Sequence, residues 1–212
     1  MSSTNSYQEF PPVEMANPDG LLAMGGDLSV NRLLDAYNHG IFPWYDSSEP
    51  ILWWSPDPRM VLLPENLKIS KSMKQLFKKE AFKVTYNQEF LRVIEACGAI
   101  KRNGQNGTWI TAEIKVAYLR LHYLGIVQSI EVWQEDELVG GLYGIYLKDK
   151  KIFCGESMFA KVSNASKYGF ITYVNKLRDE GVKLIDCQIF TPHLASLGAS
   201  EIPRKMFLKY LK

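Results

Sequence analysis

Apolar positions recur along most of this chain with a helical or a strand period. Residues 1–60 are the exception. Pro11, Pro12, Pro18, Pro43, Pro50, Pro56 and Pro58 crowd that stretch, and proline removes amide donors and breaks regular elements. It therefore reads as loop-rich, with one short helix over 30–39. Asp27 or Ser29 can cap that helix and Gly40 stops it. A boundary falls near residues 59–63, giving a small N-terminal domain (1–60) and a larger one (61–212). In the larger part the pattern predicts helices over 70–79, 90–101 and 111–124, with a strand over 82–86. Three strands follow at 129–133, 138–147 and 151–159, joined by short polar turns. A helix over 165–180, an apolar strand over 182–190 and short helices at 193–197 and 204–211 complete the order.

This order predicts an α+β fold built on a mixed sheet. Segment 151–159, the helix and segment 182–190 form a βαβ unit, whose two strands run parallel. Their C-terminal ends then point the same way, and ligands favour that edge. Glu156 lies late in the first strand. Asp186 and Gln188 lie late in the second, two residues apart and so on one face. Three polar groups thus converge among Phe153, Met158, Ile185 and Ile189. A carboxylate buried in such a strand costs several kcal/mol unless it is paired or hydrogen-bonded. Spacing alone leaves open whether these groups brace the backbone or carry chemistry.

Composition narrows the class. Of the 212 residues, 46% are hydrophobic and 23% charged, with a net charge of +2. This is ordinary for a globular protein, and any phosphate-binding surface has to come from local clustering. Lys71, Lys74, Lys78 and Lys79 form such a cluster, with 71, 74 and 78 on one helical face; a solvated lysine face is the plainer reading. Cys97, Cys154 and Cys187 lie far apart, with no CxxC pair and no secretory leader, which points to a reducing cytoplasm. No stretch approaches the ~20 apolar residues of a membrane span. His39, His122 and His193 lack metal-ligand spacing, so no metal site is expected.

Several ordered motifs carry a resemblance. They are Asp19-Gly20-Leu21-Leu22-Ala23-Met24-Gly25-Gly26-Asp27-Leu28, Gly40-Ile41-Phe42-Pro43-Trp44, and Leu52-Trp53-Trp54-Ser55-Pro56-Asp57-Pro58-Arg59. Gly107-Thr108-Trp109-Ile110-Thr111 and Leu138-Val139-Gly140-Gly141-Leu142-Tyr143-Gly144 fill the middle. Gly155-Glu156-Ser157-Met158-Phe159, Asn164-Ala165-Ser166-Lys167, Leu184-Ile185-Asp186-Cys187-Gln188 and His193-Leu194-Ala195-Ser196-Leu197-Gly198-Ala199 follow. Together they resemble the leucyl/phenylalanyl-tRNA–protein transferase family over residues 10–207.

The resemblance implies a GNAT-like acyltransferase domain and a monomeric enzyme with no membrane partner. It implies transfer of Leu, Phe and less readily Met from aminoacyl-tRNA to proteins or peptides with N-terminal Arg or Lys, marking them for degradation. The amino acid arrives activated as an ester, so no cofactor is required. Catalysis then consists of placing amine and ester together, moving a proton and stabilising an oxyanion. By resemblance, Gln188, Asp186 and Glu156 serve the reaction. A neutral amide is a poor base, so Gln188 suits positioning, with Asp186 or a ribose hydroxyl taking the proton. Trp44 and Trp109, with Tyr37 and Tyr118, would receive the terminal adenosine. Leu142, Phe153, Met158, Phe170, Tyr173, Leu177 and Ile185 would form the pocket for the donor side chain, although each also fits ordinary core packing.

Three rivals remain. A GNAT acetyltransferase using acetyl-CoA would need a glycine-rich pyrophosphate loop, and segment 160–166 contains no glycine. A tRNA-dependent transferase building peptidoglycan cross-bridges and a non-enzymatic binder of protein N-termini are the others.

Overall fold

The computed structural model describes residues 9–100 and 108–212. Lys101, the expected end of the helix over 90–101, and Gly107 lie outside them, as do residues 1–8. The N-terminal part contains more than loops and a helix. Strands β1 (Leu21–Met24), β2 (Phe42–Pro43) and β3 (Leu52–Trp54) form a small antiparallel sheet in the order β1-β3-β2. These strands are two to four residues long, too short for period-2 alternation to register. Between them α1 (Val30–Asn38) starts on Ser29, whose side chain accepts from the Arg32 amide.

Strand β4 (Arg59–Leu62) belongs to a second, seven-stranded sheet, so residue 60 falls inside a strand. The remaining elements are α2 (Lys71–Lys78), β5 (Lys83–Tyr86), α3 (Phe90–Ala99), α4 (Ala112–Tyr123), β6 (Val127–Gln134), β7 (Glu137–Leu147) and β8 (Ile152–Ala160). After them come α5 (Ala165–Asp179), β9 (Leu184–Gln188), α6 (Pro192–Ser196), β10 (Ser200–Ile202) and α7 (Arg204–Phe207). The final helix stops at Phe207, short of the expected 211.

The large sheet runs β10-β4-β9-β8-β7-β6-β5. Strands β8 and β9 pair parallel, and the other neighbours are antiparallel. This is a mixed sheet of an α+β fold containing the expected βαβ unit. Apolar residues cover both faces. One face packs under α1, α3, α4 and the small sheet, through Tyr37, Val93, Tyr118, Tyr143, Ile145 and Leu184. The other packs under α2 and α5, through Met73, Ile130, Leu142, Phe153, Phe170 and Ile185. Glycine sets the approach of α5. A Cβ added at Gly140 would come within 2.7 Å of the Ala165 Cβ, so a side chain there would push the helix off the sheet. No helix among the described residues is long and apolar enough to cross a membrane.

Candidate functional site

The parallel pairing of β8 and β9 is short. It joins Ile152 to Leu184, Phe153 to Ile185 and Cys154 to Asp186, then stops. Beyond that point the strands separate. Each also carries an irregularity there. Across β7, Tyr143 faces Ser157 while Gly144 faces Gly155, which leaves Glu156 as an extra residue. Across β4, Met60 faces Gln188 while Val61 faces Asp186, which leaves Cys187 extra. Such bulges bend a strand and re-aim its side chains. Gly144 permits the first of them: a Cβ there would lie 2.2 Å from the Cys154 carbonyl oxygen. At the second, Gln188 adopts a left-handed backbone (φ 63°) and ends β9.

The splayed strands open onto a cavity of about 520 Å³. Pockets for small ligands commonly enclose ~300–1,000 Å³. Its apolar floor includes Leu142, Met158, Phe170 and Ile185, and Trp44 and Trp109 lie on its wall. Gln188 and Glu156 line it together, with Gln188 Nε2 donating to Glu156 Oε1 at 2.9 Å. Behind Glu156, Tyr37 Oη donates to Oε1 at 2.8 Å and Tyr118 Oη to Oε2 at 3.0 Å. Burial is the largest influence on Glu156. It outweighs the donated hydrogen bonds and, helped by the Asp186 charge, pushes the carboxyl up to about 7.

Asp186 sits deeper, with 0% of its surface exposed. Arg59 grips it with two hydrogen bonds, Nε to Oδ1 at 2.8 Å and Nη2 to Oδ2 at 2.7 Å. The Gln188 amide N–H donates to Oδ1 at 3.0 Å. Arg59 Nη1 also donates to the Gly40 carbonyl, and the guanidinium lies over the rings of Phe42 and Phe207. One buried cation therefore ties the small sheet, the C-terminal helix and β9 together. The bond from the Gln188 amide ties Asp186 to the backbone turn that carries Gln188.

Several sequence expectations need correction. Asp186, expected beside the reacting atoms, does not line the cavity, and its carboxylate is shared between a guanidinium and an amide. Tyr37 and Tyr118 offer no stacking face. They are 1% and 0% exposed, and their hydroxyls are spent on Glu156 and on each other. Phe153, Tyr173 and Leu177 do not line the cavity. Phe153 packs edge-on against Tyr173 in the core beneath α5. The spacing 170, 173, 177 identified the right helix face but not its reach, and only the first turns of α5, at Ser166 and Phe170, meet the cleft. Lys71, Lys74, Lys78 and Lys79 are exposed and take part in no ion pair among the described residues.

Two groups were missed. Arg59 was legible as a lone charge in the apolar run Arg-Met-Val-Leu, all buried in β4. His193, on α6, also lines the cavity. Its Nε2 is buried without a hydrogen-bond partner among the described residues, and burial, then the Lys167 charge, lowers its pKa.

Comparison with known proteins shows the family. The family model for leucyl/phenylalanyl-tRNA protein transferase matches residues 61–212, and that for its N-terminal domain matches 26–57. A leucyl/phenylalanyl-tRNA–protein transferase of Christiangramia forsetii is 66% identical over 207 residues, covering 98% of both chains. Relatives of the same description in Flavobacterium johnsoniae and Erwinia tasmaniensis are 57% and 55% identical, covering 96% and 95% of this chain and 95% and 86% of their own. Among solved structures, a GCN5-related N-acetyltransferase from Kribbella flavida aligns with a TM-score of 0.39 at 8% identity, over 79% of this chain and 59% of that one. On the strength of the two family models and of relatives matched along nearly the whole chain, this protein belongs to the leucyl/phenylalanyl-tRNA–protein transferase family.

Proposed function

We propose that this enzyme transfers Leu or Phe, and Met less readily, from aminoacyl-tRNA to proteins or peptides with N-terminal Arg or Lys, marking them for degradation. The observation that carries this is the meeting of three surfaces in one cleft: an apolar floor, two tryptophans, and the polar pair Gln188–Glu156. The donor side chain enters the floor formed by Leu142, Met158, Phe170 and Ile185. Such a floor distinguishes apolar side chains by only ~1–3 kcal/mol per methylene, which suits acceptance of more than one. The terminal adenosine stacks on Trp44 and Trp109, at ~1–3 kcal/mol per base contact. The ester carbonyl then lies beside Gln188.

The acceptor amine is held by the Gln188 carbonyl oxygen and by Glu156. The carboxylate favours the cationic N-terminus that arrives, and the close placement of amine and ester supplies much of the rate. Lys71, Lys74, Lys78 and Lys79 guide the RNA backbone. The Lys68 amide donates to the Leu197 carbonyl, which holds the start of α2 beside the end of α6, next to the cleft. All the groups named come from one chain, so a monomer suffices. The need for charged tRNA fits a cytoplasmic site of action. An acetyl-CoA reaction would lack its usual glycine-rich phosphate cradle at the β8–α5 turn, where Asn164 and Ala165 stand.

The test is a transfer assay with radiolabelled Phe-tRNA or Leu-tRNA and an Arg-starting peptide, with acetyl-CoA as the alternative donor. Label in the peptide from the charged tRNA alone is the expected result. Acetylation, or no transfer from either donor, would refute the reading.

A further inference from the structure

Three oxygen-bearing groups close a ring behind the cleft. Tyr37 Oη lies 2.8 Å from Glu156 Oε1, Tyr118 Oη lies 3.0 Å from Oε2, and the two Oη atoms lie 2.6 Å apart. A ring of three such contacts needs three protons, and the phenols supply two. With Glu156 ionised, two phenol protons serve three contacts, so one of the three is left with two facing oxygens and no proton between them. One added proton, on Oε2, completes the ring: Glu156 donates to Tyr118, Tyr118 to Tyr37, and Tyr37 to Oε1. The second lone pair of Oε1 already accepts from Gln188. The contacts therefore contain a place for one proton more than the ionised triad holds, and Glu156, which carries that proton, lines the cleft.

The reaction needs such a place. Three of the groups that flank Glu156 serve poorly. Asp186 is sealed beneath Arg59, Gln188 is a neutral amide, and burial holds the Cys187 thiol far up and neutral. We propose that Glu156, backed by Tyr37 and Tyr118, receives the proton of the attacking amine and returns it to the leaving ribose oxygen. The acceptor first loses its ammonium proton to solvent, and the neutral amine then attacks the ester carbon and forms the C–N bond. The proton on that nitrogen passes to the Glu156 carboxylate. As the C–O bond to ribose breaks, the ribose oxygen takes the proton back, so the cycle closes with no net proton change on the enzyme. This inference rests on the transfer reaction proposed above and adds the group that moves its proton.

The surroundings suit the role. The titratable groups that act on Glu156 are Tyr37 from α1, Tyr118 from α4, Cys154 from its own strand and Asp186 from β9, whose charge is engaged by Arg59 of β4, and His193 of α6 lines the same cavity. Burial raises both phenols and the Cys154 thiol well above their usual ranges, so they stay neutral near pH 7. Glu156, at about 7, is the carboxyl that changes charge in the working range.

The experiment is a pH series of single-turnover transfer at saturating Phe-tRNA and Arg-starting peptide. Wild-type transfer itself tests the underlying reading; the variants' profiles test the proton role. In the wild type, log rate should rise with a slope of about 2 below pH ~7, where both Glu156 and the acceptor amine (pKa ~8) must lose a proton, and about 1 between the two values. In Glu156→Gln the slope should fall to about 1 throughout, with a rate loss of ~10²–10⁴-fold near pH 7. A loss under tenfold, or an unchanged slope, would overturn the proposal. Tyr118→Phe provides a second reading that keeps the packing. In the ring, the protonated triad loses two hydrogen bonds and the ionised one loses a single bond and an unfavourable contact. The acid limb should therefore move to lower pH. Movement to higher pH, or none, would mean that Tyr118 merely donates to a carboxylate, and would also overturn the proposal.

Discussion

Replacing Arg59 by alanine removes the only cation that touches Asp186 among the described residues. Both partners are about 1% exposed, so water cannot take over the lost contacts. Breaking one side of a buried pair typically costs ~3–5 kcal/mol, because the remaining charge stays desolvated and unpaired. The bond to Gly40 and the stacking on Phe42 and Phe207 are lost as well, so the upper half of that range is the expectation. At ~2–4 °C per kcal/mol for a chain of this size, Tm should fall by roughly 8–20 °C. Urea unfolding measures the free-energy change directly. The double variant Arg59→Met, Asp186→Leu separates pairing from packing. Replacing both charges by apolar groups of similar bulk is often neutral, so it should recover most of the loss in stability. It should not recover activity, since the Gln188 amide loses its acceptor and the left-handed turn its brace. An Arg59→Ala loss below ~1 kcal/mol would refute the reasoning, because an exposed or redundant pair contributes that little.

The other predictions concern the cleft, its RNA contacts and the packing behind it. Trp44→Ala and Trp109→Ala should each weaken binding of charged tRNA by ~1–3 kcal/mol, about 5–150-fold in Kd by filter binding, and should spare thermal stability more in Trp44, the more exposed of the two. Joint replacement of Lys71, Lys74 and Lys78 by Gln should flatten the dependence of log Kd on log salt by up to ~0.7–0.9 per lost phosphate contact, and an unchanged slope would remove these lysines from the interface. Gly140→Ala should destabilise the fold by ~1–3 kcal/mol in urea unfolding, because the new methyl meets Ala165 at 2.7 Å.

Much of the site was readable because polar residues interrupt apolar strands. Glu156, Asp186 and Gln188 stand out in that way, and the apolar run before Gln188, following a helix, marks the parallel pair. What failed to show is what depends on pairing across the sheet or on distance along the chain. The bulge at Glu156 exists only relative to β7, so no period within β8 announces it. The bond between Arg59 and Asp186 spans 127 residues. Tyr37 and Tyr118 were expected as stacking aromatics from the resemblance, whereas their hydroxyls turn inward to Glu156. Leu177 and Tyr173 lie on the same face of α5 as Phe170. How far a cleft extends along a helix is a tertiary fact, and residue type gives no clue to it.

In the proposed reaction, ester and amine meet where β8 and β9 part. A crystal structure with a stable amide analogue of phenylalanyl-adenosine tests this. The expected result is adenine against Trp44 and Trp109, the phenyl ring over Leu142, Met158, Phe170 and Ile185, and the amide carbonyl carbon within about 4 Å of Gln188, at the near-attack separations reactive pairs require. Adenine bound elsewhere, or the phenyl ring outside that floor, would contradict it.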